Sequence, residues 1–163
     1  MDRVGRRVAF GIVVIVLVGA GVVVADEFFL PEQATQVDGA DSLNSSAEVL
    51  TTGTFSGATG HSVSGTVSVV QDGDGYALQF ENYSQTQGPD VFVYLTPAGD
   101  PTAGSEIEAG RKILIDGGAD GGESTKEGTF TQRLPDDVDP SEYGGVGIWC
   151  ENFGVPFGSA TLE

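Results

Sequence analysis

The distribution of apolar positions divides the chain into three textures. Val8 to Ala25 (VAFGIVVIVLVGAGVVVA) carries no charged or strongly polar side chain. As a helix, this run reaches about 27 Å, close to the hydrocarbon thickness of a bilayer. Arg3, Arg6 and Arg7 precede it, and the next basic residue is Arg111. The asymmetry predicts one transmembrane anchor helix over 8–25, with residues 1–7 cytoplasmic and everything after it outside the cell. The competing reading is a signal peptide cleaved after Val23-Val24-Ala25. Signal cores usually run about 7–15 residues, so the uncleaved anchor is the expectation.

From Asp26 to Leu50 the pattern loses its period, and a stalk is expected over 26–50. Phe28-Phe29-Leu30, stopped by Pro31, forms an apolar patch suited to the membrane interface. A short helix near Asp41–Leu50 fits the sequence, capped by Asp41 or Ser42, with Leu43, Ala47 and Leu50 on one side.

From Thr51 the period becomes two. Thr51–Phe55 reads as a strand. Val63, Val67 and Val69 share one side of a second, and Tyr76, Leu78 and Phe80 share one face of a third. Between them, Asp72-Gly73-Asp74-Gly75 has the composition of a tight hairpin turn. After Gly88-Pro89 comes Val91–Thr96 (VFVYLT), an apolar run that belongs inside a sheet with both faces covered. Arg111–Asp116, Gly128–Leu134, Tyr143–Cys150 and Val155–Leu162 complete the series. The prediction for 51–163 is all-β: a β-sandwich of seven or eight short strands, with a small barrel as the alternative.

Charge narrows the partners. Of 24 acidic residues only Asp2 precedes the apolar run, whereas three of the seven basic ones do. The chain from Asp26 onward therefore carries 4 − 23 = −19. Such a surface repels nucleic acid and anionic lipid. It suits a protein working in concentrated salt, where the screening length falls to about 3 Å; an ordinary acidic surface domain is the alternative.

The chain contains one cysteine, Cys150, and one histidine, His61. A lone cysteine forms no intrachain disulfide and no cysteine-rich metal site. One histidine cannot complete the two-histidine, one-cysteine set of a blue copper centre. The segment around His61 (GATGHSVSG) has no nucleophile elbow, which argues against a hydrolase. The acidic loops at Asp72 and Asp74, at Asp116, Asp120 and Glu123, and at Asp136, Asp137, Asp139 and Glu142 lack the twelve-residue rhythm of a calcium hand. No metal site is expected. On a strand, Val146, Ile148 and Cys150 share a face while Trp149 points the other way. Three roles stay open for the thiol: a small buried hydrophobe, an intermolecular bridge, or a working group.

The run Tyr143-x-x-Val146-x-Ile148-Trp149-Cys150-x-x-Phe153-x-Val155-x-Phe157-Gly158-x-Ala160-x-Leu162 stands with Gly88-Pro89-Asp90-Val91-Phe92-Val93-Tyr94-Leu95 and His61-x-x-Ser64-Gly65-Thr66-Val67. Together these blocks, spanning about 51–162, resemble the DM-thirteen domain family, small domains found beside DOMON modules in animal cell-surface proteins and alone in many microbes. The resemblance implies a β-sandwich-like fold and an electron-transfer role. It implies that Cys150 acts either as a bare thiol or as the ligand of a group such as haem, with His61 as its base or co-ligand. Trp149, Phe92 and Tyr94 would then wall the group, and a redox protein would be the partner. Relatives often carry a histidine in the second block where this chain has Phe92, which weakens the haem version. Glu151 argues against an activated thiolate unless it points away. The rival function is a cell-surface binding or adhesion module without catalytic groups.

The charge imbalance yields a direct expectation. Self-repulsion in a compact −19 domain grows as screening falls. The thermal midpoint should therefore drop on transfer from molar to millimolar salt. A midpoint that holds or rises would show that the acidic surface is not a salt adaptation.

Overall fold

In the computed structural model, residues 34–38, 43, 46–58 and 60–163 are described. The expected anchor over 8–25 and the segment 1–7 lie outside them. Among the described residues no helix is long and apolar enough to cross a membrane.

The valine-rich run and its partner form the central hairpin. Strand β4 (Val63–Asp72) pairs antiparallel with β5 (Gly75–Gln85), from Asp72↔Gly75 back to Val63↔Gln85. Gly73 opens the turn at φ +66°. The ladder is interrupted between Ser64 and Thr66, where Gly65 (φ +101°) faces Asn82 (φ +51°). A Cβ on Gly65 would stand 2.7 Å from the carbonyl oxygens of Glu81 and Asn82, so the bulge requires glycine. The bulge also resets the phase of β5. Leu78, Phe80 and Tyr83 all reach the core, although Tyr83 is out of step with the other two.

Among the described residues, ten strands build two five-stranded sheets. The first has the order β1 (Thr35–Asp38), β8 (Lys126–Arg133), β5, β4, β2 (Glu48–Thr54). The second has the order β3 (Ser56–Gly57), β10 (Val155–Thr161), β9 (Gly145–Cys150), β6 (Val91–Thr96), β7 (Arg111–Ile113). The main core draws Val67, Leu78, Phe80 and Phe130 from one sheet and Val93, Leu95, Val146, Ile148 and Ala160 from the other. This is the expected sandwich.

The second sheet is covered on its outer face as well. Phe92, Tyr94 and Trp149 form a separate buried cluster there with Ile107, on the one-turn helix α1 (Gly104–Glu108). The loop leading into α1 lies directly on the backbone of β9. A Cβ on Gly145 would be 2.4 Å from the Gly99 carbonyl oxygen, and one on Gly147 2.9 Å from Pro101 Cγ. That double cover explains the unbroken apolar run of β6, all six of whose residues are buried.

The expected strand count and the expected short helix are corrected. Among the described residues the strands number ten rather than seven or eight, because β1 and the two-residue β3 carry no alternation to read. Strand β1 lies inside the 26–50 stretch expected to be a stalk. It is an edge strand with Thr35 and Gln36 exposed, held by parallel pairing from Thr35↔Lys126 to Asp38↔Thr129. Backbone pairing of this kind leaves no inside-outside pattern in the sequence. The helix expected near Asp41–Leu50 is also absent at its C-terminal end, where Glu48-Val49-Leu50 begin β2.

The centre of the core sets a stability test. Phe80 is fully buried, stacked on Phe130 at 4.6 Å between ring centroids and facing Phe55 at 6.1 Å. Phe80→Ala should cost about 3–5 kcal/mol in urea unfolding, the range for a fully buried phenylalanine.

Candidate functional site

Strand β9 alternates strictly, with Val146, Ile148 and Cys150 facing the main core and Trp149 facing out. Cys150 is its last residue, paired with Val91 on one side and Val155 on the other. The thiol is fully buried, and Cys150 Sγ donates a hydrogen bond to the carbonyl of Pro89 at 3.2 Å. Pro89 itself is exposed. One turn of chain thus separates the thiol from solvent.

That turn is held from several sides. Asp90 adopts φ +54°, a left-handed conformation that costs a non-glycine residue on the order of 1 kcal/mol. Its N–H donates to Glu123 Oε1 at 3.0 Å, and its carbonyl accepts the N–H of Glu151 at 2.9 Å. The N–H of Ser124 donates to the Val91 carbonyl at 2.8 Å. Gly88 is equally constrained, since a Cβ there would lie 2.9 Å from Phe157 Cζ.

Phe157 occupies a bulge in β10, where the register with β9 shifts between Pro156 and Gly158, and it joins the main core. The His61 imidazole stacks on it at 3.8 Å between centroids, 13° from parallel. His61 Nδ1 is buried without a hydrogen-bond partner among the described residues. The described contacts therefore link His61 to Cys150 indirectly, through Phe157 and the Gly88-Pro89 turn. The thiol's hydrogen bond goes to Pro89 rather than to the imidazole. On its other side, His61 lines a cavity of about 550 Å³ bordered by Ser56, Asp100, Thr102, Pro156 and Ser159. Within it Ser159 Oγ donates to Asp100 Oδ1 at 2.5 Å.

The aromatic residues grouped with the thiol on sequence grounds lie across the sheet from it. Val91 pairs with Cys150 while Phe92 pairs with Trp149, and neighbouring residues on a strand face opposite ways. Phe92, Tyr94 and Trp149 are brought together, but on the outer face. There the Tyr94 hydroxyl donates to Glu151 Oε1, which also forms an ion pair with Lys112 Nζ. Lys112 Nζ stands 4.0 Å from the Phe92 ring centroid and 5.9 Å from that of Tyr94. Burial pushes the Tyr94 phenol well above the ordinary tyrosine range, and its hydrogen bond to Glu151 and that carboxylate's charge add to the rise. For Glu151 the largest single influence, burial, pushes upward; hydrogen bonds from Lys112 and Tyr94, with the lysine charge, outweigh it and hold the carboxyl below the ordinary range. Glu151 is thus committed to the outer cluster.

Haem ligation through Cys150 does not fit this arrangement. The sulfur is enclosed by core side chains and engaged by Pro89, the cavity beside His61 is not lined by Cys150, and position 92, where relatives often carry a histidine, faces the other side of the sheet from the sulfur. No three His, Cys, Asp or Glu side chains among the described residues come together as a metal-ion site.

Pro89, Asp90, Glu123, Phe157 and Lys112 complete the picture and escaped sequence reasoning as site residues. Glu123 lies 33 positions from Asp90, so no local spacing reveals the pair. Lys112 did leave a signal, as one of only four cations after the apolar run.

The fold and site define an all-β, two-sheet module whose distinctive group is one enclosed thiol beneath an exposed turn. The chain belongs to the electron transfer DM13 family, whose model matches residues 54–162, from the end of β2 to Leu162. No curated protein and no solved structure matches it.

The Tyr94 environment sets a pH test. Its folded pKa lies above the unfolded value of 10.0, so the stability it contributes is complete below that pH and is lost as pH rises above it. Tyr94→Phe should lose less stability than the parent chain between about pH 9 and about pH 11 in urea unfolding. Equal losses would show that Tyr94 ionises normally.

Proposed function

We propose that this domain is an extracytoplasmic electron-transfer module in which the bare thiol of Cys150 is the redox group. The observation that carries the reading is the Cys150–Pro89 hydrogen bond. Two of the blocks that mark the family, 61 residues apart in the chain, meet at the sulfur. The family's description as electron transfer supports the same reading. Enclosure suits the role. An exposed thiol outside the cell climbs an oxidation ladder towards irreversible sulfinic and sulfonic acids, whereas electron exchange requires proximity and not solvent contact. The S–H points at an exposed turn, so when a docked redox protein takes up the electron the proton has only that turn between it and solvent. In this reading the apolar segment 8–25 tethers the domain to the cell membrane, a redox protein docks at the turn end, and the acidic surface keeps the domain soluble in concentrated salt.

The second reading, a binding module on the cell surface, is favoured by one observation: the cavity beside His61, with Asp100, Thr102 and Ser159 on its walls. Film voltammetry on the purified chain separates the two. The redox reading expects a wave in the parent chain that Cys150→Ala and Cys150→Ser both abolish, with thermal stability checked in parallel. Cys150→Ser can keep the hydrogen bond to the Pro89 carbonyl and Cys150→Ala deletes a single buried atom, so the fold should survive. No wave, or a wave that survives both substitutions, removes Cys150 as the redox group and leaves the binding module.

A further inference from the structure

The outer cluster of the second sheet has a chemistry that the thiol does not need. Tyr94 is almost wholly buried, and its hydroxyl donates to a carboxylate. Trp149, Phe92 and Ile107 pack in the same cluster, and Lys112 closes it by pairing with the same carboxylate oxygen. A phenol loses an electron at moderate driving force only if its proton leaves too, because the oxidised phenol is a strong acid. The usual obstacle is finding a base already in hydrogen-bond contact. Here the base is in place. Tyr83 provides the contrast within the same molecule: its hydroxyl meets Gln85 and Ser124, neither of which takes up a proton.

We infer that Tyr94 and Glu151 form a proton-coupled electron-transfer site on the outer face of the second sheet. Tyr94 gives one electron to a cationic one-electron oxidant, and its phenolic proton moves along the existing hydrogen bond to Glu151. The products are a neutral tyrosyl radical, a protonated carboxyl and the reduced oxidant. A one-electron donor then reduces the tyrosyl radical while Glu151 returns the proton, which regenerates the phenol and the carboxylate. Lys112 favours that return, because it favours the ionised carboxylate. The cationic class of oxidant follows from the surplus of −19 on the chain after the apolar run, which at low ionic strength, the condition of the test, raises the local concentration of cations and their encounter rate. The site stands apart from Cys150, which faces the other side of the sheet.

The test uses the full chain and photogenerated tris(bipyridine)ruthenium(III) as oxidant, with transient absorption and electron paramagnetic resonance as readouts. A neutral tyrosyl radical should form in the parent chain with a solvent deuterium isotope effect on its rate. Tyr94→Phe should remove most of that signal. Glu151→Gln, which keeps an acceptor but not a base, should slow radical formation by about tenfold or more. A tyrosyl signal undiminished in Tyr94→Phe, a tryptophan radical in its place, or an unchanged rate in Glu151→Gln would each overturn the inference. The absence of an isotope effect in the parent chain would overturn it without recourse to any variant. Because the readout is the tyrosyl radical, the result does not depend on whether Cys150 exchanges electrons.

Discussion

The pairing of β9 between β6 and β10 is the constraint on which the rest of the structure depends. A strand inside a sheet has no freedom over which way its side chains point, and β9 is buried on both faces. Its even-numbered residues are therefore committed to the main core and its odd-numbered ones to the outer cluster. Cys150 is enclosed because Val146 and Ile148 are. Trp149 lies outside for the same reason, and Gly145 and Gly147, which share its face, are glycine because a loop rests on their backbone. The chemistry was distributed by the pleat before any individual contact was made.

The same pleat explains what could be read in the sequence. The β4–β5 hairpin and the opposed faces of Cys150 and Trp149 follow from period-two alternation, the hairpin with its glycine turn, and the doubly covered β6 follows from its unbroken apolar run. What escaped has no period. Strand β1 is held by backbone hydrogen bonds at an edge, and its exposed side chains carry no record of them. Tyr83 reaches the core only because a bulge at Gly65 and Asn82 shifts the phase of β5. The site was half legible. The blocks containing Cys150, His61 and Gly88-Pro89-Asp90 were visible, but their mutual arrangement was not, because it depends on turns that bring together residues dozens of positions apart. The family resemblance implies an aromatic wall beside the thiol, whereas the sheet itself stands between Cys150 and the rings of Phe92, Tyr94 and Trp149.

The turn above the thiol shows how a long-range arrangement of this kind is held. Asp90 sits in a conformation that most side chains avoid, and its N–H and carbonyl are both claimed, by Glu123 and by Glu151. Neither contact alone fixes the turn. Together with the Phe157 ring against Gly88, they leave the Pro89 carbonyl pointing inwards at the sulfur. A buried carboxylate is expensive unless hydrogen-bonded, so Glu123 is better understood as a structural partner of the turn than as one of the solvated acids around it.

The few cations support a similar argument about where interaction energy is concentrated. Arg133 pairs with Asp72, whose side chain is fully buried; Arg111 pairs with Asp137 between two exposed side chains; and Lys126 lies over the Phe130 ring at 4.9 Å. Exposed pairs such as Arg111–Asp137 contribute little, on the order of 0–1 kcal/mol, and less still in strong salt. Lys112 is different. It is half-buried, lies against an aromatic ring and shares its carboxylate partner with a tyrosine hydroxyl, so part of its interaction is sheltered from the salt that screens the rest of the surface. In a domain with four cations among so many acids, placing one of them there gives Glu151 a fixed charge and a fixed direction. The outer aromatic face is thereby organised as tightly as the thiol on the inner one.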